Sequence, residues 1–436
     1  MFIGTIIGLA RKRLNRIVQG DDRLLLGGFT AYVSAELIVR IVRVAAILVI
    51  ARQVDALILG VAALALTLFE LVRVLANAGI GQKIIAAQEV DLPAICNTAY
   101  RLFWIWCGIV ALVQAAVAAM MAFMFGQSAV AAMLALLCGV YAIMPFGLVQ
   151  VFLLMRAGKL QTTARITASQ TIADHILTAL LVLIWPSAWA VVLPKLLTAP
   201  VWLLMVRRAC HWRRDSTAGH APVASFAAFG TGVLITEIGT AARIQLDKLI
   251  IGALLGVEAL GLYYFAFNAG LGITGSLTSA YGTVLYPFLC RAKDRLEGAA
   301  RYRRGIMFGG AILVPLILLQ VVLADLYVPI IFGAHWSSAA PLVSLLGLAA
   351  LAMLGSTLAT TWLRATGRTG RDAAANFLAG TFALGGLALG AGHGIDTAAL
   401  GYVAGLSIIL IPFFAWIALH AARTVSLPIS PKEYSI

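Results

Sequence analysis

The sequence is short of charged residues. Asp, Glu, Lys and Arg make up 11% of its 436 positions, whereas 62% are hydrophobic. Soluble domains have about 25% charged residues and about 45–50% apolar residues. A water-soluble chain of this length could not cover its surface with so few charges. The composition therefore excludes an ordinary soluble protein and predicts a polytopic membrane protein.

Cysteine and the common catalytic motifs are scarce as well. The sequence has no zinc-ligand spacing, no P-loop and no nucleophile elbow. A Gly-x-Gly-x-x-Gly pattern begins at Gly270, but it lies inside an apolar segment and not after a strand. We therefore predict no enzyme, no metal site and no cofactor apart from a coupling ion. The five cysteines lack paired spacing, which favours reduced packing residues; they are Cys96, Cys107, Cys138, Cys210 and Cys290.

Long apolar segments are what the sequence has in abundance. A transmembrane helix needs about 20 mostly apolar residues. The sequence thus predicts an all-α protein with about 12 transmembrane helices. The predicted spans are 24–51, 56–86, 97–125, 129–155, 163–185, 187–206, 223–254, 257–290, 304–327, 338–364, 372–391 and 396–421.

The basic residues predict the orientation of these spans. Most of the 32 Lys and Arg lie at the termini and in every second connection, whereas the opposite connections hold Arg52 alone. By the positive-inside rule, we expect both termini and the central linker to be cytoplasmic. The net charge of +14 is then a property of membrane topology, and we expect no nucleic-acid partner.

The longest polar break divides the chain into two halves of six spans. A shift of 203 residues places Val54-Asp55-Ala56-Leu57 on Val257-Glu258-Ala259-Leu260 and Arg40 on Arg243. An even number of spans in each half makes the repeats parallel, with an axis along the membrane normal. We predict five segments: a cytoplasmic N-terminal segment 1–23, an N-lobe 24–206, a basic linker 207–222, a C-lobe 223–422 and a cytoplasmic tail 423–436.

The first span carries charges that are costly at membrane depth. Glu36, Arg40 and Arg43 are spaced four and three residues apart, which places them on one helical stripe. A charge at the bilayer centre costs about 2.5–3.5 kcal/mol on insertion scales, so such residues usually face an interior path.

Other spans show comparable stripes. The second span has Glu70, Arg73 and Asn77, and the seventh has Thr236, Thr240, Arg243 and Asp247 beside Glu237 and Lys248. Two interpretations remain open. The charges line a hydrated, net cationic chamber that holds an anionic group, or they form local ion pairs such as Glu36–Arg40, Glu70–Arg73 and Arg243–Asp247. If the charges line a chamber, the substrate-binding candidates are Arg40, Arg43, Arg73, Arg243 and Lys248. The ion-coupling candidates are Glu36, Glu70, Glu237, Asp247 and Asp174 of the fifth span, which lies beside His175.

Three stretches resemble a known family. They are LDKLIIG at 246–252 followed by LGVEALGLY at 255–263, then IFGAHW at 331–336 followed by APL at 340–342, and in the first half VDAL at 54–57 with NAGIGQ at 77–82. The chain resembles the polysaccharide biosynthesis (oligosaccharide-lipid) flippases of the multidrug/oligosaccharidyl-lipid/polysaccharide exporter superfamily. The first-half turn departs from the family pattern, with Gln53-Val54-Asp55 where a Gly-Pro-acid turn is common.

The resemblance implies a fold and a cargo. It implies two six-helix lobes that alternate between inward and outward openings and a polyprenyl-diphosphate-linked oligosaccharide as cargo for exopolysaccharide, O-antigen or capsule synthesis. The diphosphate would meet the arginines, and protons or sodium would be the coupling ion. Implied partners are the bilayer, the lipid-linked oligosaccharide, and the polysaccharide polymerase and export machinery. Replacing Arg40 or Arg243 by Ala should then abolish export, whereas Lys should retain part of it.

Three alternatives share parts of this pattern. A cation-coupled multidrug antiporter of the same superfamily would favour a chamber dominated by acids. A polysaccharide polymerase or ligase usually needs a sizeable outer loop, and every outer connection here is short. A flippase for the peptidoglycan lipid precursor typically has spans beyond twelve.

Overall fold

The computed structural model describes residues 22–76, 79–215, 217–290, 292, 294–366 and 369–426. Within these ranges the protein is helical and contains no β-strand. The first half contains helices α1 (Asp22–Gln53), α2 (Ala56–Arg73), α3 (Ile80–Ile85), α4 (Leu92–Phe123), α5 (Ser128–Ile143), α6 (Pro145–Arg156), α7 (Leu160–Ile184), α8 (Ala188–Val192), α9 (Pro194–Leu197) and α10 (Ala199–Ala209).

The second half repeats this arrangement with fewer interruptions. Its helices are α11 (Ala224–Leu255), α12 (Val257–Ala269), α13 (Leu271–Cys290), α14 (Arg295–Val322), α15 (Ala324–Phe332), α16 (Ala340–Ala365), α17 (Thr369–Ala391) and α18 (Ile395–Ser426). Short 3-10 helices follow α2 at Val74–Ala76 and α15 at Ala334–Ala339.

Each predicted span coincides with one helix or with a consecutive series of helices. Within the described residues, eight helices are long and apolar enough to cross a membrane, and nine if α5 and α6, bent by 54°, form one span. The first and seventh predicted spans are α1 and α11, each 32 residues long. The eighth is broken at Gly270 into α12 and α13. The protein is therefore a multi-pass membrane protein.

Two glycines bring the halves into close contact. A Cβ on Gly60 of α2 would lie 1.9 Å from the carbonyl oxygen of Val257, and one on Gly261 of α12 would lie 1.8 Å from that of Ala56. The contact is reciprocal, as expected for elements related by a two-fold axis. In this contact Ala56 is equivalent to Val257 and Gly60 to Gly261, so the structural repeat corresponds to a shift of 201 residues along the sequence.

The structural repeat thus differs from the predicted shift of 203 residues. Two residues connect α1 to α2, whereas Gly256 alone connects α11 to α12. In the longer connection, Asp55 caps α2 by accepting a hydrogen bond from the backbone N–H of Ile58 at 2.8 Å. The matching letters around Val54 and Val257 therefore do not occupy equivalent positions.

The linker between the halves packs against α4. The buried Asn97 side chain donates to the backbone carbonyls of Asp215 and Gly219, at 2.6 and 3.0 Å, and Thr98 donates to that of Ala221 at 3.0 Å. Hydrogen bonds from the Thr217 side chain and backbone lower the pKa of the Asp215 carboxyl below its ordinary value. The basic linker is therefore held on the first half of the molecule.

Candidate substrate cavity

A cavity of about 420 Å³ lies between the two halves. Helices α1, α2, α7, α8 and α9 form one side, and α11 and α12 form the other. Its lining contains five charged residues and one histidine, namely Arg43, Glu70, Asp174, Lys195 and Lys248 with His175. These six side chains come from four helices of the first half and one of the second.

Arg43 reaches across the cavity from α1. Its Nη2 donates to Oδ1 of Asn268 on α12 at 2.8 Å, and Nδ2 of Asn268 donates to the carbonyl oxygen of Tyr264 at 2.8 Å. The partner of this guanidinium is a neutral amide. Among the described residues, no carboxylate pairs with Arg43, so within this part of the structure its positive charge is available to a ligand in the cavity.

The other cavity cations have carboxylate partners. Lys195 Nζ lies 2.7 Å from Asp174 Oδ2, and Lys248 Nζ lies 3.1 Å from Asp247 Oδ1. Glu70 pairs with Arg73 at 2.6 Å, and the Arg73 side chain is 48% exposed outside the cavity lining. Among the described residues of this region, three ion pairs thus cancel and Arg43 remains as the charge in excess.

The three pairs differ in their surroundings. Asp247 is 2% exposed and also accepts a hydrogen bond from the hydroxyl of Tyr263 at 3.1 Å. Lys248 Nζ lies 4.6 Å from the ring centroid of Phe267, a cation–π contact. Asp174, by contrast, has a buried Oδ1 that accepts no hydrogen bond from a described residue. Asp174 is therefore the least satisfied carboxylate of the cavity.

Beside the cavity, the two halves meet in a contact that we term the reciprocal cap, formed by Ala51, Arg52, Ile330, Ile331, His335 and Trp336. The carbonyl oxygen of Ala51 accepts hydrogen bonds from Trp336 Nε1 at 2.6 Å and His335 Nε2 at 2.8 Å. In return, Arg52 donates to the carbonyls of Ile331 and Ile330, at 2.9 and 3.3 Å.

The chemistry of helix ends explains the reciprocal cap. The last four carbonyls of an α-helix lack intrahelical partners. Ala51 lies in the last turn of α1, and Ile330 and Ile331 lie in the last turn of α15. Each helix end is thus satisfied by side chains from the opposite half. The indole of Trp336 also stacks on Phe265 of the cavity wall, with ring centroids 4.0 Å apart.

With the fold and the cavity described, comparison with known proteins identifies the family. The model of a family described as "Polysaccharide biosynthesis protein" matches residues 49–341, more than half of the chain. The chain belongs to this polysaccharide biosynthesis protein family.

A curated relative of this family member is the lipopolysaccharide biosynthesis protein WzxC of Escherichia coli (strain K12). The two are 23% identical over 311 residues, which cover 68% of this chain. The matched region spans 61% of the length of the relative.

Solved transporter structures share the fold. An inward-facing multidrug resistance MATE family transporter of the MOP superfamily has a TM-score of 0.67, at 13% identity, over 89% of this chain and 99% of that one. The lipid II flippase MurJ, in an inward closed conformation, has a TM-score of 0.66, at 13% identity, over 92% and 94%. An outward-facing MATE transporter of the same superfamily has a TM-score of 0.55, at 14% identity, over 92% and 97%. The predicted fold of two six-helix lobes is confirmed.

Only some of the predicted site residues of this protein line the cavity. Arg43, Glu70, Asp174 and Lys248 line the cavity. Asp247 and Arg73 do not line it, but each pairs with a residue that does, Asp247 with Lys248 and Arg73 with Glu70. Arg40 is half-buried on α1. The side chains of Glu36, Glu237 and Arg243 lie outside the described part of the structure. The alternative interpretation predicted local ion pairs. The pair of Glu70 with Arg73 is present, whereas Asp247 pairs with its neighbour Lys248.

Sequence reasoning missed the neutral polar residues of the cavity. Asn268 contacts Arg43, and Gln245 also lines the cavity. A polar amide in an apolar span is a usable signal, because an amide in hydrocarbon needs a hydrogen-bond partner. Lys195 was not among the predicted site residues either, yet it lines the cavity and pairs with Asp174.

Proposed function

We propose that this protein is a flippase that moves a polyprenyl-diphosphate-linked oligosaccharide from the cytoplasmic to the periplasmic leaflet by alternating access. The observation that carries the proposal is Arg43, a guanidinium in an interlobe cavity whose partner is a neutral amide. A planar guanidinium matches the oxygens of a phosphate with two parallel hydrogen bonds. Membership of a polysaccharide biosynthesis family and the name of the WzxC relative support the sugar-lipid cargo.

The cavity chemistry suits each part of such a cargo. The diphosphate would lie against Arg43, with Lys248 as a second cation from the opposite half. Sugars would contact the aromatic wall of Tyr264 and Phe267 and the amide of Gln245. The prenyl chain would remain in the lipid, since an interlobe cavity of this size cannot enclose it.

The proposed orientation follows from the basic residues. Both termini and the linker lie in the cytoplasm of a bacterial inner membrane, and the reciprocal cap then closes the periplasmic end. This state would load cargo from the cytoplasmic leaflet. The higher TM-score with the inward-facing MATE transporter than with the outward-facing one supports this assignment.

Coupling to a proton or a sodium ion belongs to the same proposal. Asp174 is the first candidate among the described acids, because one of its carboxylate oxygens is buried without a described protein donor. Glu70 and Asp247 are second candidates, since both already have cationic partners. Glu36 and Glu237 remain candidates from the sequence. The proposed partners include the polysaccharide polymerase and export machinery.

A multidrug antiporter is the alternative cargo class. An organic cation needs a carboxylate that is free to neutralise it. Asp174, Glu70 and Asp247 are each paired with a base, and Arg43 would repel the ligand. The described part of the cavity therefore favours an anion.

The test is the accumulation of lipid-linked oligosaccharide in cells that lack the protein. We expect the precursor to accumulate on the cytoplasmic side and the wild-type gene to clear it. Arg43→Ala should fail to clear it, with transport reduced about 100-fold or more, because a charged hydrogen-bond partner is worth about 1.5–3 kcal/mol and this one also orients the cargo. Arg43→Lys should retain part of the activity, since the charge remains but the planar fork is lost.

Arg213→Ala is the matched control. It removes one arginine from the exposed linker, which does not line the cavity, and should clear the precursor normally. Unchanged lipid-linked sugars in the deletion strain, with new sensitivity to cationic dyes, would replace the flippase with the antiporter. Normal transport by Arg43→Ala at wild-type protein levels would remove the cavity from the mechanism.

A further inference from the structure

The hydrogen bond between Arg43 and Asn268 joins the two halves inside the cavity. Its direction is fixed by chemistry, because Arg43 can only donate and the carbonyl of Tyr264 can only accept. Oδ1 of Asn268 must therefore face Arg43, and Nδ2 must face Tyr264. Asn268 is 9% exposed, so water contributes little to either bond.

The neutral amide is a weak competitor for this guanidinium. Hydrogen bonds between two charged groups are roughly twice as strong as neutral ones. A diphosphate that enters the cavity can therefore take Arg43 from Asn268. A carboxylate at position 268 would not yield in this way, which gives the choice of Asn a physical reason.

Asn268 also stands beside a structural break. Helix α12 ends at Ala269, α13 begins at Leu271, and Gln320 of α14 donates to the carbonyl of Gly270 at 3.0 Å. A Cβ on Gly272, the second residue of α13, would lie 3.8 Å from both Arg43 Nη2 and Asn268 Oδ1. The end of Arg43 is thus seated at the point where the eighth span changes direction.

We propose that Asn268 is a positioning residue that holds Arg43 against the second half while the cavity is empty and releases it to the diphosphate of the cargo. This inference rests on the proposed function. Cargo binding would then remove the hydrogen bond between α1 and α12 in the cavity while the reciprocal cap remains closed. Loading and the loosening of the two halves become one event.

The test compares two substitutions of nearly equal size in the purified full chain, reconstituted in nanodiscs. The probe is a fluorescent polyprenyl diphosphate, with the polyprenyl alcohol as the blank. Asn268→Asp should bind the probe about tenfold more weakly or worse, because the cargo must displace a carboxylate. Asn268→Leu should bind it about threefold more tightly, because the cargo no longer competes with the amide.

Two further variants separate the transfer of Arg43 from Asn268 to the diphosphate from general effects of charge. Gln245→Glu places the same negative charge in the same cavity, away from the contact with Arg43, and should weaken binding less than Asn268→Asp. In an Arg43→Ala background, Asn268→Asp should cause a smaller loss than in the wild type, because the pair no longer exists. Melting curves of all variants report whether the fold is retained.

The opposite signs of the two Asn268 substitutions decide the proposal. If Asn268→Leu weakens binding as much as Asn268→Asp, in well-folded protein, Asn268 is a structural residue and the exchange is refuted while the flippase stands. Should the Leu variant fail to fold, Asn268→Ser serves in its place with the same expected sign. If the wild type does not distinguish the diphosphate from the alcohol, both this inference and the proposed cargo are wrong.

Discussion

At the scale of single residues, the described charges of the cavity are organised as pairs with one cation left over. A buried ion pair gains little over an apolar pair, but breaking it leaves one charge without compensation. The Asp174–Lys195 pair illustrates this, because the Asp174 side chain is 8% exposed while that of Lys195 is 35% exposed. Such an asymmetric pair is retained for the position of its charges more than for stability.

A double-mutant cycle on this pair tests the argument. Asp174→Asn and Lys195→Met should each destabilise the protein by about 1–3 kcal/mol, below the range for fully buried pairs because Lys195 is partly hydrated. The double variant should lose less than the sum of the two, because neither charge is then left alone. Thermal unfolding in detergent provides the measurement. Strictly additive losses would mean that the 2.7 Å contact contributes nothing.

At the scale of elements, the helices of the two halves meet where side chains are absent. Gly60 and Gly261 let α2 and α12 approach through their backbones, which a Cβ on either residue would prevent. Small residues take this role in membranes, because helices there associate by close packing and not by the hydrophobic effect. Since the contact is symmetric, the same substitution on either helix should have a similar effect.

Gly60→Ala and Gly261→Ala should therefore both reduce the yield of folded protein. We expect a loss of at least about 1–3 kcal/mol for each, the usual cost of overpacking, because the obstacle is a backbone carbonyl and not a flexible side chain. Gly108→Ala is the control, since no atom lies within 4 Å of the added Cβ. Fluorescence-detected size-exclusion chromatography can rank the three. Equal profiles for Gly60→Ala and Gly108→Ala would contradict the close approach.

At the scale of the whole molecule, alternating access requires the reciprocal cap to open. Its hydrogen bonds satisfy carbonyls at the ends of α1 and α15. Opening therefore leaves those carbonyls without a hydrogen-bond donor unless water reaches them. Ala51 and Trp336 are each 1% exposed in the closed state. The cap therefore stabilises the closed end by hydrogen bonds between the two halves and not by hydrogen bonds within either half.

Trp336→Phe should shift the molecule toward the open state. The ring that stacks on Phe265 is retained in part, but the N–H donor to Ala51 is lost, and the ratio of open to closed molecules should rise about fivefold to tenfold. Spin labels at the exposed Ser128, the first residue of α5, and at the exposed His393, between α17 and α18, would report the distance between the halves by pulsed electron resonance. The natural cysteines would be replaced first.

Trp106→Phe is the matched control for this prediction. It also removes an indole donor to a backbone carbonyl, that of Leu75 at 2.6 Å, but within the first half alone. The interlobe distance should not change. A similar widening in both variants would mean that loss of any buried indole hydrogen bond loosens the fold, and that the cap has no special role.

The sequence by itself determined the membrane class, the all-helical fold and the presence of charged residues within the first span. These features depend on hydropathy and spacing within about 20 residues, and a bilayer requires each span to satisfy its own backbone. Arg43, Glu70, Asp174 and Lys248 were predictable for the same reason, because a charge inside an apolar run is visible without a structure.

Only the tertiary structure decided which groups meet. The contact of Arg43 with Asn268 joins residues 225 positions apart, and that of Ala51 with Trp336 joins residues 285 apart. No periodicity connects such positions, because both depend on how the two halves pack against each other. The structural shift of 201 residues has the same origin, since it is set by the crossing of two helices at Gly60 and Gly261 and not by matching letters.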